Sequence, residues 1–125
     1  MAIEIWDLYD AYGRMTGKTM RRGEEVPSGF YHQVVHIWPI NSKGEFLVQR
    51  RSPYVQWKPN CWATTGGSAI SGEDVMTAAR RELREELGAN AEIICKLGVV
   101  SDYYNLIHRH NINNFFLCRV LSFGG

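Results

Sequence analysis

One segment of this chain, residues 75–87, has the pattern of an amphipathic helix, and this segment constrains the fold more than any other. It reads VMTAARRELREEL and is rich in residues that favour helices. Ser71, with Asp74 three positions later, resembles a capping arrangement, and Gly88 stands where a helix C-cap glycine belongs. Helical signals are confined to this segment, so the rest of the core must come mainly from strands.

Strand-like runs lie on both sides of the predicted helix, and they are rich in β-branched and aromatic residues. The predicted strands are residues 3–9, 30–38, 45–50, 61–65, 92–100 and 115–121. A turn at 41–44 joins two of them into a hairpin, and Pro39 is expected at an edge or a bulge. Residues 16–28 are a polar, glycine-containing segment, residues 51–60 are expected to be a loop, and a polar, His-containing loop is expected at 101–114. This pattern predicts an α+β or mixed α/β fold.

The composition limits the class of protein. A chain of 125 residues predicts one domain, and a net charge of +1 argues against a general nucleic-acid or membrane-surface binder. No apolar run approaches the roughly 20 residues that span a bilayer, and no export signal is visible, so a cytoplasmic location is expected. Three cysteines without a CxxC pair are expected to be partly buried apolar residues, not zinc ligands.

Three glutamates in the predicted helix lie at positions i, i+3 and i+4 and share one flank. They are Glu82, Glu85 and Glu86. At about 100° per residue, Glu86 falls inside the apolar stripe. That stripe consists of Val75, Met76, Ala79, Leu83 and Leu87. One interpretation is a solvated face of Glu–Arg pairs. The other is a Mg²⁺ or Mn²⁺ site, because clustered acids raise one another's pKa and a divalent cation compensates them.

The spacing of residues around the helix resembles a known family signature. From Gly67 the chain continues with five residues, Glu73, seven residues, and then the run 81–89, which reads RELREELGA. This resembles the Nudix hydrolase signature GX5EX7REUXEEXGU, in which U is aliphatic. The single departure is Ala89, at a packing position.

The resemblance implies a fold and a domain plan. It implies a Nudix-type αβα sandwich with a mixed sheet and one catalytic helix, formed as a single domain over residues 1–125. Residues 66–89 would be the Nudix box loop and helix, and residues 1–28 an N-terminal hairpin arm. The Nudix fold normally continues past the equivalent of Val120, so the C-terminal part of the fold is expected to be missing here.

The resemblance also implies a reaction, which is the metal-dependent hydrolysis of a nucleoside diphosphate linked to another group. The implied cofactor is Mg²⁺ or Mn²⁺, and the implied substrate is a small-molecule nucleotide or other diphosphate. The implied catalytic residues are Glu82, Glu85 and Arg81, and the implied metal ligands are Gly67, Glu82, Glu85 and Glu86. Glu73 is implied as a supporting residue that pairs with Arg81.

The substrate contacts and the general base are less closely defined. Gly66 and Gly67 let the backbone approach a diphosphate. Arg50 and Arg51 are either phosphate contacts or solvated charges at a strand end. In relatives the base is a box glutamate or a residue from a later loop. The candidates here are Glu82, Glu85, Asp102, His108 and His110.

Two alternatives to the hydrolase are considered. The N-terminal half, from Trp6 to Arg51, resembles the Nudix branch that includes isopentenyl diphosphate isomerase, and most closely its isomerase-like hydrolases in bacteria. That isomerase needs a Cys-Gly-His triplet, and positions 66–68 here read Gly-Gly-Ser. His32 matches one metal histidine of the isomerase, whereas Glu25 stands in place of another. The second alternative is a non-catalytic nucleotide sensor.

A homodimer is also predicted from the sequence. The strand 115–121 has apolar residues on both faces, which indicates that both faces are covered. The arm carries Trp6, Tyr9 and Tyr12, which are large side chains of the kind that anchor interfaces. The arm, or the open sheet face, is therefore expected to pack against a second chain.

Overall fold

The computed structural model describes residues 3–50, 52–54, 60–88, 91–104 and 109–121. It has eight strands and one helix in this part of the chain. Their bounds are β1 Ile5–Tyr9, β2 Met15–Arg21, β3 His32–Ile40, β4 Gln49–Arg50, β5 Trp62–Ala63, β6 Thr65–Ser68, α1 Val75–Leu87, β7 Ala91–Tyr104 and β8 Arg109–Val120.

A four-stranded mixed sheet with the order β6-β3-β8-β7 forms the centre of the molecule. β3 and β8 are parallel, whereas β6 pairs with β3 and β7 pairs with β8 in antiparallel fashion. Helix α1 packs on one face of this sheet, where Val35, Ile37 and Phe116 are fully buried with Ala79 and Leu83 of the helix. The predicted α+β class, with a mixed sheet and one helix, is confirmed for the described residues.

Helix α1 has the predicted bounds, but its N-cap differs from the predicted one. The helix begins after Asp74, whose carboxylate accepts the Thr77 amide at 2.8 Å. Ser71 lies outside the helix and instead donates its hydroxyl to Asp7 at 2.7 Å. Gly88 ends the helix with φ +72°, a conformation that favours glycine, and its amide donates to the Arg84 carbonyl.

The buried face of α1 is displaced from the predicted stripe. Ala78, Ala79 and Leu83 are buried, whereas Val75, Met76 and Leu87 are only partly so. Glu86 is exposed, so its expected place inside the apolar stripe is wrong. Glu82, one turn earlier, is the glutamate that lies against the sheet, because the short strand β6 packs beside that turn.

The first two strands form an antiparallel hairpin with a small core of its own. This core consists of Trp6, Leu8, Met20 and Val26, with Phe30 packed against it. The Trp6 indole stacks on the His32 ring at 4.2 Å between centroids. Trp6 is therefore buried within its own chain, while Tyr12 is 83% exposed. β2 lies within the predicted hairpin arm, but no strand was assigned to its residues from the sequence, because Met20 is its one buried residue and no apolar alternation marks it.

The predicted hairpin of 30–38 with 45–50 forms only in part. The turn is present, with the Asn41 carboxamide oxygen accepting the amides of Lys43 and Glu45. The returning strand shrinks to β4, which pairs with β5. Pro39 lies inside β3, and β6 pairs with β3 only as far as Ile37, so the missing N–H of Pro39 costs β6 no hydrogen bond.

The predicted His-containing loop at 101–114 is mostly strand. β7 extends to Tyr104 and β8 begins at Arg109, while residues 105–108 lie outside the described part. Asn111, Asn113 and Asn114 are buried in β8, although asparagine is uncommon in strands. The Asn114 amide donates to the Gln33 side chain at 2.7 Å, and Asn113 bonds with His36 at 2.8 Å. These hydrogen bonds compensate the burial of Asn113 and Asn114.

The face of the sheet opposite α1 is partly covered. Phe115 stacks on His36 at 4.8 Å, and Trp38 meets Phe46 edge to face at 5.7 Å. Among the side chains described in the edge strand β7, four large apolar ones are exposed, which are Ile94, Leu97, Val99 and Val100. Cys118 is buried, whereas Cys61 and Cys95 are exposed, so the expectation of partly buried cysteines fails for these two. The helix in the described part of the chain is too short and too polar to cross a membrane.

Candidate active site

Arg81 is the centre of a polar cluster between helix α1 and strand β6. Its Nε and Nη2 atoms donate to the two carboxylate oxygens of Glu73 at 2.7 and 3.0 Å. Nη2 also donates to the Ser68 carbonyl at 3.1 Å. Burial alone would raise the pKa of Glu73, but its hydrogen bonds from Arg81 and the Ile70 amide outweigh burial and lower it. The bidentate pair thus holds an ionised Glu73 against the start of the helix.

Glu82 is the most enclosed of the three box glutamates. Its side chain is 12% exposed, and its Oε1 accepts Nη1 of Arg81 at 3.0 Å. A Cβ on Gly67 would lie 2.5 Å from the same Oε1, so the missing side chain of Gly67 leaves the space that this carboxylate occupies. Burial raises the pKa of Glu82 despite the opposing charge of Arg81, and the charges of Glu85 and Glu86 raise it further.

The other two box glutamates are exposed. The Glu85 side chain is 58% exposed, and its Oε2 lies 3.4 Å from Nη1 of Arg81. Glu86 is exposed one turn beyond Glu82. Within the described ranges, no three His, Cys, Asp or Glu side chains are gathered into a group that could hold a metal ion. The expected convergence of Glu82, Glu85 and Glu86 therefore does not appear in the side-chain positions.

The chemistry of this cluster nevertheless fits a divalent cation. The side-chain atoms of the cluster that could bind a metal ion are carboxylate oxygens, which Mg²⁺ and Mn²⁺ prefer as ligands. The raised pKa of Glu82 marks a carboxylate whose charge Arg81 compensates only in part, and a cation would favour its ionised form. Glu85 and Glu86 are exposed, and exposed side chains change rotamer readily.

The two glycines of β6 are in close contact with β3. Gly66 pairs with His36 and Gly67 with Val35. A Cβ on Gly66 would collide with the Val35 carbonyl oxygen, which is backbone and cannot rotate away. The resemblance to the isomerase aligns its cysteine with position 66, and this strand pairing has no room for a side chain there.

The remaining candidates lie on other elements. Arg50 is exposed in β4 opposite Trp62, which is 68% exposed, while Arg51 lies outside the described residues. His110 belongs to strand β8 and not to a loop, and its ring meets Tyr31 edge to face at 5.3 Å. Asp102 lies in β7 opposite Asn111. His108 is outside the described residues, as is Ala89 of the box.

One residue at this site was not expected from the sequence. The Asp7 carboxylate on β1 accepts the Ser71 hydroxyl at 2.7 Å and the Gly72 amide at 2.9 Å, just before Glu73. Because 64 residues separate Asp7 from Ser71, no local pattern could have predicted the contact. Pairing of β1 with β2, which places Asp7, is itself a tertiary feature.

Comparisons with known proteins agree with the fold and the box. The NUDIX domain family matches residues 30–122. An uncharacterised Nudix hydrolase of Listeria monocytogenes is 42% identical over 87 residues, covering 69% of this chain and 52% of the relative. An isopentenyl-diphosphate Delta-isomerase of Aromatoleum aromaticum is 33% identical over 90 residues, covering 71% of this chain and 50% of the relative.

A solved structure covers more of the chain than these relatives do. The crystal structure of DR0079 from Deinococcus radiodurans has a TM-score of 0.70 at 25% identity, covering 96% of this chain and 74% of that protein. The present chain spans about half the length of the two curated relatives. The match over residues 30–122, together with the box geometry, shows that this chain belongs to the Nudix hydrolase family.

Proposed function

We propose that this chain hydrolyses a diphosphate linkage in a nucleoside diphosphate joined to a further group, using Mg²⁺ or Mn²⁺. The observation that carries the proposal is the placement of Glu82. Its carboxylate is held by Arg81 in a space that exists because position 67 is glycine. An acid buried without full charge compensation is costly to keep, unless it binds a cation.

The proposed metal ligands are Glu82, Glu85, Glu86 and the Gly67 carbonyl. When bound, the metal neutralises the diphosphate, polarises phosphorus and lowers the pKa of an attacking water. The role of Arg81 is to keep Glu82 and Glu85 near each other, since its Nη1 contacts both. Glu73 and the Ser68 carbonyl fix the guanidinium for that purpose. Glu82 and Glu85 are also the proposed candidates for the general base.

The proposed substrate is a small diphosphate ester. Gly66 and Gly67 are proposed substrate contacts, since a glycine backbone allows the close approach of a diphosphate. Arg50 and Arg51 are proposed phosphate contacts, and exposed Arg50 lies across from the exposed Trp62. A homodimer and a cytoplasmic location stay predictions, and the burial of Trp6 within its own chain removes one of the expected dimer anchors.

Hydrolysis is favoured over isomerisation and over a sensor role. The cysteine and histidine of the isomerase are replaced by Gly66 and Ser68, and Gly66 has no room for a side chain. His32, the matching metal histidine, is fully buried and stacked on Trp6. A sensor that only binds nucleotide has no need of all three glutamates.

The test combines a metal-dependent stability shift with a substrate screen. We expect Mn²⁺ to raise the thermal midpoint of the wild type by mass action, and E85Q and E86Q to reduce this shift. E92Q is the matched control, because Glu92 is also exposed but lies on β7. An equal shift in all four proteins would exclude the site.

The screen uses ADP-sugars, dinucleoside polyphosphates and nucleoside triphosphates with Mg²⁺ or Mn²⁺, and scores released phosphate and monophosphate. We expect turnover of at least one class and no conversion of isopentenyl diphosphate to its allylic isomer. Clean isomerisation by the metal-loaded protein would overturn the assignment.

A further inference from the structure

We propose that Asp7, on the N-terminal hairpin arm, is a positioning residue for the box glutamates. It acts by fixing the turn at 71–73, from which Glu73 holds Arg81. This inference rests on the proposed function, because it assigns Asp7 a part in that site. The NUDIX domain match begins at residue 30, so the arm lies outside it.

Three hydrogen bonds join the arm to this turn. Asp7 accepts the Ser71 hydroxyl through Oδ1 at 2.7 Å and the Gly72 amide through Oδ2 at 2.9 Å. The Ser71 amide donates to the Ile5 carbonyl at 2.7 Å. Hydrogen bonds to an ionised carboxylate are shorter and stronger than neutral ones, so Asp7 restrains both residues that precede Glu73.

The arm is built to hold Asp7 in this position. The pairing of β1 with β2 has a register irregularity between Asp7 and Tyr9, and irregularities of this kind redirect side chains. On either side of Asp7, Trp6 and Leu8 are almost fully buried, and Trp6 stacks on His32 of the central sheet. Asp7 is thus anchored to the same chain that carries the box.

The restrained turn leads directly to the glutamates. Gly72 has φ +89°, which favours glycine, and its neighbour Glu73 bonds back to Ile70 through both its amide and its carboxylate. The same carboxylate holds Arg81 at two points, and Arg81 contacts Glu82 and Glu85. A loosened turn would therefore loosen Arg81 and, through it, the two glutamates.

Asp10 provides a matched control within the same arm. Its carboxylate also accepts two backbone amides, those of Tyr12 at 2.8 Å and Arg14 at 3.0 Å. These contacts close the β1–β2 turn and do not reach the box. D7N and D10N each remove one negative charge from an acceptor of backbone amides with little change in volume.

The experiment compares wild type, D7N and D10N by three measurements. They are the hydrogen exchange of the Arg81 Nε–H by nitrogen-15 NMR, the Mn²⁺ dissociation constant, and kcat and KM for a turned-over ADP-sugar or nucleotide. For D7N we expect Arg81 exchange to accelerate about tenfold, Mn²⁺ affinity and kcat to fall about tenfold, and KM to stay within about twofold. D10N should match the wild type within about twofold in all three.

Equal Arg81 exchange and equal Mn²⁺ affinity in D7N and D10N would overturn the proposal, since a merely structural arm would leave both unchanged in folded protein. If the wild type neither bound Mn²⁺ nor turned over any substrate, the proposed function would fail, while Arg81 exchange would still decide whether Asp7 acts on Arg81. Should D7N fail to fold, S71A removes one of the two Asp7 bonds, and about a threefold acceleration of Arg81 exchange is expected. Unchanged exchange in S71A would then count against the proposal.

Discussion

Replacing Gly67 with alanine tests the placement of Glu82 directly. The new Cβ would lie 2.5 Å from Oε1 and 2.8 Å from Cδ of Glu82. Ordinary van der Waals contact begins at 3.4 Å, so the carboxylate oxygen must move by about 0.9 Å. The obstructed atoms are the far end of a flexible side chain, so the carboxylate moves and the strand pairing is kept.

The expected loss is larger in activity than in stability. A misplacement of about 1 Å in a reacting geometry can cost about 100-fold in rate, and we expect kcat of G67A to fall by about that factor. The move also weakens the 3.0 Å bond between Arg81 and Glu82. One weakened charge-assisted bond predicts a loss of about 1 kcal/mol in the free energy of unfolding.

The assay measures kcat, Mn²⁺ affinity and urea unfolding for G67A and for G98A. Gly98 is the matched control, because it also lies in a strand and a Cβ there would meet nothing within 4 Å among the described residues. G98A should match the wild type in kcat and in Mn²⁺ affinity. Wild-type kcat and Mn²⁺ affinity in G67A would refute the role of Gly67 in seating Glu82.

Three further predictions concern the Arg81 cluster and the assembly. R81K keeps the charge but loses the bidentate geometry on Glu73, so urea titration should give a loss of about 2 kcal/mol. The folded pKa of Glu73 lies below its ordinary value of 4.5, so its contribution to stability is present above about pH 4.5 and is lost as the pH falls through the folded value. In pH-dependent thermal melts, E73Q should therefore have a flatter acid limb than the wild type. The exposed apolar side chains of β7 predict a homodimer by light scattering, and a 14.3 kDa monomer at tens of micromolar would contradict it.

For Glu82 the expected dependence of stability on pH is opposite to that for Glu73, because its pKa is raised and not lowered. Because burial raises the folded pKa of Glu82 above its ordinary value of 4.5, the metal-free protein gains stability as the pH falls through the folded pKa and loses it as the pH rises through the same range. E82Q removes the buried charge, so its metal-free thermal midpoint at pH 7 should be at least that of the wild type, without a Mn²⁺-induced rise. A lower midpoint would show that the Arg81 bond outweighs the cost of burial.

Features that depend on neighbours in sequence could be predicted from the sequence. The bounds of helix 75–87 follow from helix propensity and from Gly88, and the turn at 41–44 follows from Asn41 and Gly44. The box spacing from Gly67 through Glu73 to Arg81 identified the family, because helix geometry and a short turn are local. The proposed metal-binding glutamates and Arg81 could therefore be predicted from the sequence alone.

The tertiary structure alone decided which of these residues are buried and what holds them. Helical angles predicted that Glu86 faces the core, yet Glu86 is exposed and Glu82 is enclosed. The reason is that Gly67 of β6 packs against the Glu82 carboxylate, and the helix sequence alone does not contain that contact. Asn113 and Asn114 lie in a strand because distant partners on β3 satisfy them. The bond from Asp7 to Ser71 spans 64 residues, and a contact that long depends on the packing of the arm, which no local pattern encodes.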